Sequence, residues 1–166
     1  MQLEIPEVSD NNIRQMQIVV FALLCGVVMF GLITMFLTWG QAPGDALVAY
    51  IAAGFGAFAI PMSFILLVVV ANGAVKSVLA EARNNDYREM VASVDKLAIA
   101  YKTKLIISVA VLEGAAMFNL VAYLLERQAA SLLFAGVLAV IMALLFPTPV
   151  GVQDWVQRRF NELQFS

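Results

Sequence analysis

Four long apolar segments dominate this sequence and limit what the chain can fold into. They cover approximately residues 17–38, 46–70, 105–125 and 130–147. A helix needs about 20 apolar residues to cross the roughly 30 Å hydrocarbon core of a bilayer, because each residue adds about 1.5 Å. Hydrophobic residues make up 62% of the chain and charged residues only 13%, about half the ~25% of soluble domains. The sequence therefore predicts a single-domain, all-α integral membrane protein with four transmembrane helices.

The residue types exclude several classes of function. The chain has no histidine and one cysteine, Cys25, which lies within the first apolar segment. A disulfide within the chain and a metal site built from histidine or cysteine are therefore excluded. No glycine-rich nucleotide-binding motif is present, and the net charge of −2 does not indicate a nucleic-acid partner. We expect the lipid bilayer as the surroundings, no metal, no cofactor, and no enzymatic activity, because no convergent set of catalytic groups is apparent.

The basic residues predict the orientation of the chain in the membrane. Nine of the ten lie in the N-terminal tail, the connection at 71–104 or the C-terminal tail, and only Arg127 lies in an opposite turn. The nine are Arg14, Lys76, Arg83, Arg88, Lys96, Lys102, Lys104, Arg158 and Arg159. Lysine and arginine are enriched in cytoplasmic segments. We therefore predict that both termini and the 71–104 connection face the cytoplasm, and we expect a bacterial inner membrane as the location.

The connection at 71–104 is predicted to be helical. Residues 75–83 continue the second segment, residues 84–86 (Asn-Asn-Asp) favour a turn and a helix N-cap, and one helix is predicted from about 87 to 125. Apolar residues recur at helical spacing along the start of that helix. Helices two and three would then extend beyond the bilayer as a cytoplasmic stalk at about 71–104, which offers a surface to a cytoplasmic partner.

A further helix is predicted after the last apolar segment. At about 150–163 the tail is amphipathic, with Val152, Trp155, Val156 and Phe160 on one face. Two arrangements fit this pattern. The helix either lies on the membrane surface with Trp155 at the headgroups, or packs against the rest of the protein.

The first and third apolar segments align without gaps when residue 18 is matched to residue 106. Eight of twenty positions are then identical, and they include the motif G-x-x-M-F-x-L. In the first copy they are Ile18, Ala22, Leu24, Gly26, Met29, Phe30, Leu32 and Leu37. The alternative is a convergent membrane composition. We interpret the chain as two hairpin repeats in the same orientation, which allows a pseudo-twofold axis along the membrane normal.

Segments two and four carry small residues at every fourth position, and each series ends in proline. The positions are Ala49, Ala53, Ala57 and Pro61, and Ala135, Ala139, Ala143 and Pro147. Small residues at this spacing allow helices to approach closely in membranes. We predict that these residues pack helices two and four against their neighbours.

An acidic residue, Glu113, lies at the centre of the third segment. A charge at that depth costs at least ~2.5 kcal/mol, so intramembrane acids are rare and are usually functional or paired. Its counterpart in the repeat is Cys25. Hydrocarbon favours the uncharged acid, and such a group can release its proton when it meets water or a cation. We therefore predict that Glu113 is a proton or ion site.

The residues after Glu113 carry a resemblance to a known family. They are the small residues Gly114, Ala115 and Ala116, then Met117-Phe118 and Leu120-Val121. This order resembles the carboxylate-bearing helix of the rotor-ring proteolipids, the c subunits of rotary ATPases. In those helices a carboxylate precedes small residues, an aliphatic–aromatic pair and further aliphatic residues. The resemblance implies that Glu113 is the ion-carrying carboxylate of an ion-translocating membrane subunit.

A structural role for Glu113 is the alternative interpretation. A protonated Glu113 would donate a hydrogen bond across a helix interface to Ser108, Asn119, Thr34, a backbone carbonyl or the same residue of a second copy. Asn119 lies six residues beyond Glu113 and is expected on nearly the opposite side of the helix. Polar groups on two sides predict contacts on both sides, and hence a homo-oligomer or a larger membrane complex.

Three functions are consistent with these features. The first is a proteolipid-like subunit that translocates protons or ions through a site comprising Glu113 and Asn119. The second is a non-catalytic structural or accessory subunit whose spans mediate assembly and whose stalk recruits a partner. The third is a small oligomeric channel lined by Glu113 and Asn119.

Overall fold

The computed structural model describes residues 9–81 and 87–164, with side chains described at 9–69, 73 and 96–158. The described elements are the α-helices α1 (Asp10–Thr38), α2 (Leu47–Glu81), α3 (Tyr87–Glu126), α4 (Ala129–Leu144) and α5 (Pro149–Gln164). Helix α3 coincides with the long helix predicted from about 87 to 125. The predicted turn at 84–86, the side chains of the predicted stalk before Lys96 and the side chain of Phe160 lie outside the described residues.

Three of the described helices are long and apolar enough to cross a membrane. They are α1, the Leu47–Val69 part of α2 and the Lys96–Glu126 part of α3. Helix α4 has 16 residues, which at about 1.5 Å each is shorter than the ~30 Å hydrocarbon core. It forms a candidate span only together with the start of α5, across a bend of 66°. The predicted fourth span at 130–147 is therefore shorter and bent, because Pro147 and Pro149 have no N–H to continue the helix.

The outward surfaces of these helices are apolar. Large side chains such as Phe21, Phe36, Phe58 and Leu133 are more than half exposed. Apolar surface of this extent is unusual on a soluble monomer and is typical of contact with lipid. The exposed side chains thus agree with the helix lengths in indicating a membrane protein.

Helix α3 is the centre of the bundle, because it packs against α1, α2, α4 and α5. Helices α1 and α2 have at most a marginal contact with each other over the described residues. We call the end with the 39–46 and 127–128 connections the turn end, and the end with the start of α1 and α5 the terminal end. Helices α3 and α4 form a packed hairpin, whereas α1 and α2 each pack on α3. The predicted repeat would make α1–α2 and α3–α4 equivalent hairpins, and these contacts do not show that equivalence.

The buried seams of α2 and α4 repeat about every 3.5 residues. They comprise Ala49, Ala52, Gly56, Ala59 and Ser63 on α2, and Ser131, Ala135, Leu138 and Met142 on α4. Alternating steps of three and four residues keep one stripe facing the neighbouring helix. This spacing is typical of helices that pack nearly parallel or antiparallel with a left-handed twist.

The predicted series of small residues coincides only in part with this seam. Ala49, Ala135 and Pro147 are buried, Ala53 and Ala139 are partly buried, and Ala57, Pro61 and Ala143 are exposed. A step of four residues turns by about 40° beyond a full helical turn. A series with only such steps therefore drifts away from the neighbouring helix. Beyond Ala49, the packing surface of α2 within the chain consists of Ala52, Gly56, Ala59 and Ser63.

Helix α5 packs against the bundle at the terminal end. Val152 and Val156 are buried, and Trp155 lies edge-on to Tyr101 of α3 with ring centroids 5.3 Å apart. The ammonium group of Lys104 lies 3.8 Å from the centroid of the Trp155 ring, which adds a cation–π contact. Of the two arrangements open to the tail, the described contacts show packing against α3.

Candidate functional site

Glu113 lies within the apolar part of α3, at its boundary with α1. Its side chain is partly exposed. The carboxylate lies beside the α1 backbone, since a Cβ added to Gly26 would be 3.8 Å from Glu113 Oε1. It is about 20 Å along the helix from Glu126, which ends α3. The acid predicted as the functional residue is therefore at a helix–helix boundary, near the middle of the apolar Lys96–Glu126 part of α3.

Helices α1 and α3 run parallel at this boundary. Gly26 faces Glu113, and Gly31 faces Leu120, where an added Cβ would be 3.6 Å from Leu120 Cδ2. Facing residues are thus 87 and 89 positions apart in the sequence. Glycine at both positions allows the α1 backbone to lie close to α3.

The side chains predicted as partners of Glu113 bind elsewhere. Ser108 donates a hydrogen bond to the carbonyl of Ser63 on α2, with an O···O distance of 3.0 Å. Thr34 donates to the carbonyl of Gly31 in its own helix at 2.8 Å. Among the described residues, Glu113 itself forms no hydrogen bond and no ion pair. The proposed intrachain hydrogen bond to these side chains is therefore not present.

Asn119 joins α3 to α2 and does not meet Glu113. Its Nδ2 donates to the carbonyl of Ala52 at 3.0 Å and to the carbonyl of Ala115 at 2.9 Å. Asn119 is fully buried against Gly56, where an added Cβ would be 3.0 Å from Nδ2. Glu113 therefore faces α1 and Asn119 faces α2, about 120° apart around α3. Because each of the two residues faces a helix of the same chain, this pair does not by itself require a second subunit.

Glu126, the last residue of α3, is the best-satisfied acid of the described bundle. Its Oε1 accepts the backbone N–H of Val48 and its Oε2 that of Ala49, both at 2.7 Å. These N–H groups belong to the first turn of α2 and have no partner within their own helix. A carboxylate is also favoured at the positive end of the helix dipole. Glu126 therefore caps α2 from another helix, a role that Ala46 cannot fill because it has no side-chain acceptor.

Backbone and side-chain contacts reinforce this cap at the turn end. The N–H of Gly44 donates to the Glu126 carbonyl at 2.9 Å. Gln128 Nε2 donates to the Gly44 carbonyl at 2.9 Å, and Arg127 Nη1 donates to the Ala42 carbonyl at 3.3 Å. Arg127 has a φ of 55°, a left-handed conformation that ends α3 and turns the chain into α4. The two turns are thus held together.

The sequence offers Glu113 no basic partner within the spans. No lysine or arginine occurs between Arg14 and Lys76, or between Lys104 and Arg127. Lys104 lies at the terminal end against Tyr101 and Trp155. Among the described residues, no three histidine, cysteine, aspartate or glutamate side chains are grouped so that they could hold a metal ion. The site is therefore a single carboxylate in an apolar helix interface.

The described geometry defines a helical, membrane-type bundle with one unpaired carboxylate inside it. Comparison with models of known protein families, with curated proteins and with solved structures finds no match to the chain. The function is therefore argued from the residues themselves.

Proposed function

We propose that the chain is a proton- or ion-translocating membrane subunit in which Glu113 carries the ion. The observation that supports this most is that Glu113 lies at mid-length of an apolar helix, partly exposed beside α1, without a hydrogen bond in the described structure. Intramembrane acids commonly mark ion pathways. An acid paired permanently with a neighbour would stabilise the fold, whereas an unpaired acid beside glycine can take up a proton or a small cation and release it again.

The proposed orientation has both termini in the cytoplasm of a bacterium, with the protein in the inner membrane. The distribution of nine of the ten basic residues supports this orientation. Helices α2 and α3 have 35 and 40 residues, or about 52 and 60 Å, which exceeds the ~30 Å hydrocarbon core. We propose that their extensions form a cytoplasmic stalk that offers a surface to a partner.

The proposal retains the resemblance to rotor-ring proteolipids and the internal repeat. The contacts of Gly26 with Glu113 and of Gly31 with Leu120 have offsets of 87 and 89 residues, on either side of the 88-residue offset of the sequence repeat. Two related helices packed in parallel and in register would give such offsets. We propose that α1 and α3 are related in this way and that the subunit acts within a homo-oligomer or a larger membrane complex.

A second candidate is a non-catalytic accessory subunit in which Glu113 binds a partner helix. The exposed small residues Ala110 and Gly114 beside Glu113 favour this candidate, because small residues allow a helix to approach closely. In that case the acid would form its hydrogen bond only in the complex.

Proton flux in liposomes tests the proposed function. The purified chain is compared with Glu113→Gln, which keeps the shape of the side chain and cannot ionise. Cys25→Ala is the matched control, since it changes a neighbouring position at similar depth without adding or removing a carboxylate. We expect flux in the wild type and in the control, and its loss in Glu113→Gln, together with loss of a pH-dependent carboxyl band in infrared difference spectra. Equal flux in Glu113→Gln and wild type would reject the proposal.

A further inference from the structure

Helix α3 is bound to α2 by hydrogen bonds at three depths. Glu126 binds the first turn of α2 at the turn end. Asn119 binds the Ala52 carbonyl further in, and Ser108 binds the Ser63 carbonyl nearer the terminal end. Helix α4 follows α3 after only residues 127–128. Helices α2, α3 and α4 therefore form one unit in which relative sliding or tilting would break polar contacts.

Helix α1 lacks such contacts over its half toward the turn end. The hydroxyl groups of Thr34 and Thr38 donate to carbonyls of α1 itself. Over the described residues, this half of α1 meets α3 through Gly26, Gly31 and apolar side chains, and it has no hydrogen bond to another helix. Separating it from α3 would therefore break no described hydrogen bond.

The terminal end of α1 is held more firmly. Gln15 Oε1 accepts a hydrogen bond from Lys102 Nζ at 2.6 Å. Gln17 Nε2 donates to the Pro147 carbonyl at 3.1 Å. At the other end of α1, Gly40 has a φ of 73°, and a Cβ added there would have no atom within 4 Å. This open glycine next to the end of α1 is a suitable hinge, since residues of this kind absorb backbone rotation in domain and helix movements.

We propose that α1 is a gate that controls access to Glu113. It pivots about Gln15 and Gln17 while Gly40 absorbs the rotation, and its half toward the turn end moves away from α3. The movement uncovers Glu113 and Leu120 on the α1 side of α3, so that water from the turn end reaches the carboxylate. With α1 closed, Gly26 and Gly31 return to α3 and the water path is shut. This inference rests on the proposed function, because it describes how Glu113 exchanges its proton or ion with one side of the membrane.

Thiol labelling tests the movement without relying on transport. Leu120→Cys, in a Cys25→Ala background, places a thiol beneath α1. Ala122→Cys in the same background is the matched control, because Ala122 is equally buried and lies on the side of α3 that carries Asn119 and Glu126. A membrane-impermeant maleimide is added to each face of the vesicles in turn. We expect the thiol at position 120 to be labelled from the turn-end face only, and the thiol at position 122 to remain unlabelled from both faces.

A reversible cross-link tests whether the movement is needed for transport. The pair Gly31→Cys and Leu120→Cys in the Cys25→Ala background is treated with an oxidant to join α1 to α3, loss of free thiols verifies the disulfide, and the reduced protein is its own control. We expect oxidation to abolish Glu113-dependent flux and reduction to restore it.

The outcomes separate the gate from the proposed function. The gate is overturned if position 120 is unlabelled from both faces, if positions 120 and 122 are labelled alike, or if the oxidised pair transports as well as the reduced pair. The proposed function is overturned instead if the wild type and Glu113→Gln show equal flux, whatever the labelling result.

Discussion

Helix α3 has two contrasting interfaces. Toward α2 it presents Glu126, Asn119 and Ser108, each of which binds a backbone group of α2. Toward α1 it presents Leu120 and Glu113 against glycines, without a described hydrogen bond. Hydrogen bonds within a bilayer stabilise a helix pair and fix its register. The α2 interface is therefore fixed by hydrogen bonds, whereas the α1 interface leaves the Glu113 carboxylate without one from the described residues.

Two glutamates of the same helix show what this difference means. Glu126 accepts two backbone N–H groups at 2.7 Å, whereas Glu113 accepts none from the described residues. The residue type is the same, and both belong to α3. Their surroundings differ because the start of α2 gives one carboxylate two backbone donors, whereas α1 presents Gly26 to the other. Substitutions of matched residues at the two interfaces should therefore have different effects.

The largest effect is expected from Glu126→Gln. The amide keeps one acceptor oxygen and turns a donating NH₂ group toward the α2 start, so one buried N–H loses its partner. We expect the free energy of unfolding to fall by about 2–4 kcal/mol, because hydrogen bonds to charged groups and unsatisfied buried donors each cost 1–3 kcal/mol. Equilibrium unfolding in mixed micelles measures it. Asp45→Asn, an exposed acid in the adjoining turn, is the control. A change no larger than in the control would mean that other contacts hold the start of α2.

Replacing a glycine by alanine should change the free energy of unfolding in opposite directions at the two interfaces. An alanine at position 56 would bring its Cβ within 3.0 Å of Asn119 Nδ2, which two hydrogen bonds hold in place. At position 31 the nearest atom is 3.6 Å away, an ordinary contact. We expect Gly56→Ala to lower the free energy of unfolding by about 1 kcal/mol. Gly31→Ala should raise it by up to about 1 kcal/mol, because alanine favours helix more than glycine does. If Gly56→Ala and Gly31→Ala changed the free energy of unfolding equally, by thermal or denaturant unfolding, the two interfaces would not differ in how tightly they pack.

A smaller effect is expected from the hydroxyl groups. Ser108→Ala removes a hydrogen bond between helices, which in membranes is worth about 0.6 kcal/mol on average. Thr34→Val removes a hydrogen bond within α1. Because α1 can form this bond whether or not it is packed on α3, the free energy of unfolding should change by nearly zero. The two variants are compared by the same unfolding assay. A larger loss in Thr34→Val would show that Thr34 supports the α1–α3 interface.

The smallest effect on stability is expected from Glu113→Gln. No described hydrogen bond of Glu113 is lost, so the free energy of unfolding should change by less than about 0.5 kcal/mol. The same replacement at position 126 is the matched comparison. If Glu113→Gln were as destabilising as Glu126→Gln, the acid would have a structural partner and its proposed role in transport would be weakened.

The sequence predicted most of the helices but not their packing. The first three spans and the long third helix agree with α1, α2 and α3, because long apolar runs have few alternatives to helix in a membrane. The fourth span is shorter than predicted, since the helix ends at Leu144 ahead of two prolines. The stripe of small residues at every fourth position also differs from the buried seam, because burial follows a spacing of about 3.5 residues set by the neighbouring helix.

The candidate site was predicted in part. Glu113 stands out because an acid within an apolar run is rare. Glu126 does not stand out, because an acid at a helix end beside a turn is common. A useful signal was nevertheless present, since the start of α2 has alanine at position 46, ahead of its first residue, where a capping side chain is usual. Asn119 was predicted as part of an ion site, which stays a prediction, and in the structure its side chain donates a hydrogen bond to α2.

The sequence by itself determined that this protein is a set of apolar helices with one acid in the middle of the third. Hydropathy and helix signals are local properties of the chain, and a short window of residues contains them. Only the tertiary structure decided which polar groups are satisfied. The bonds of Glu126 with Val48 and of Asn119 with Ala52 join residues 78 and 67 positions apart. None of the described residues forms a hydrogen bond with Glu113. The free energy of a buried polar group depends on whether a partner reaches it, and that partner is brought near only when the helices pack.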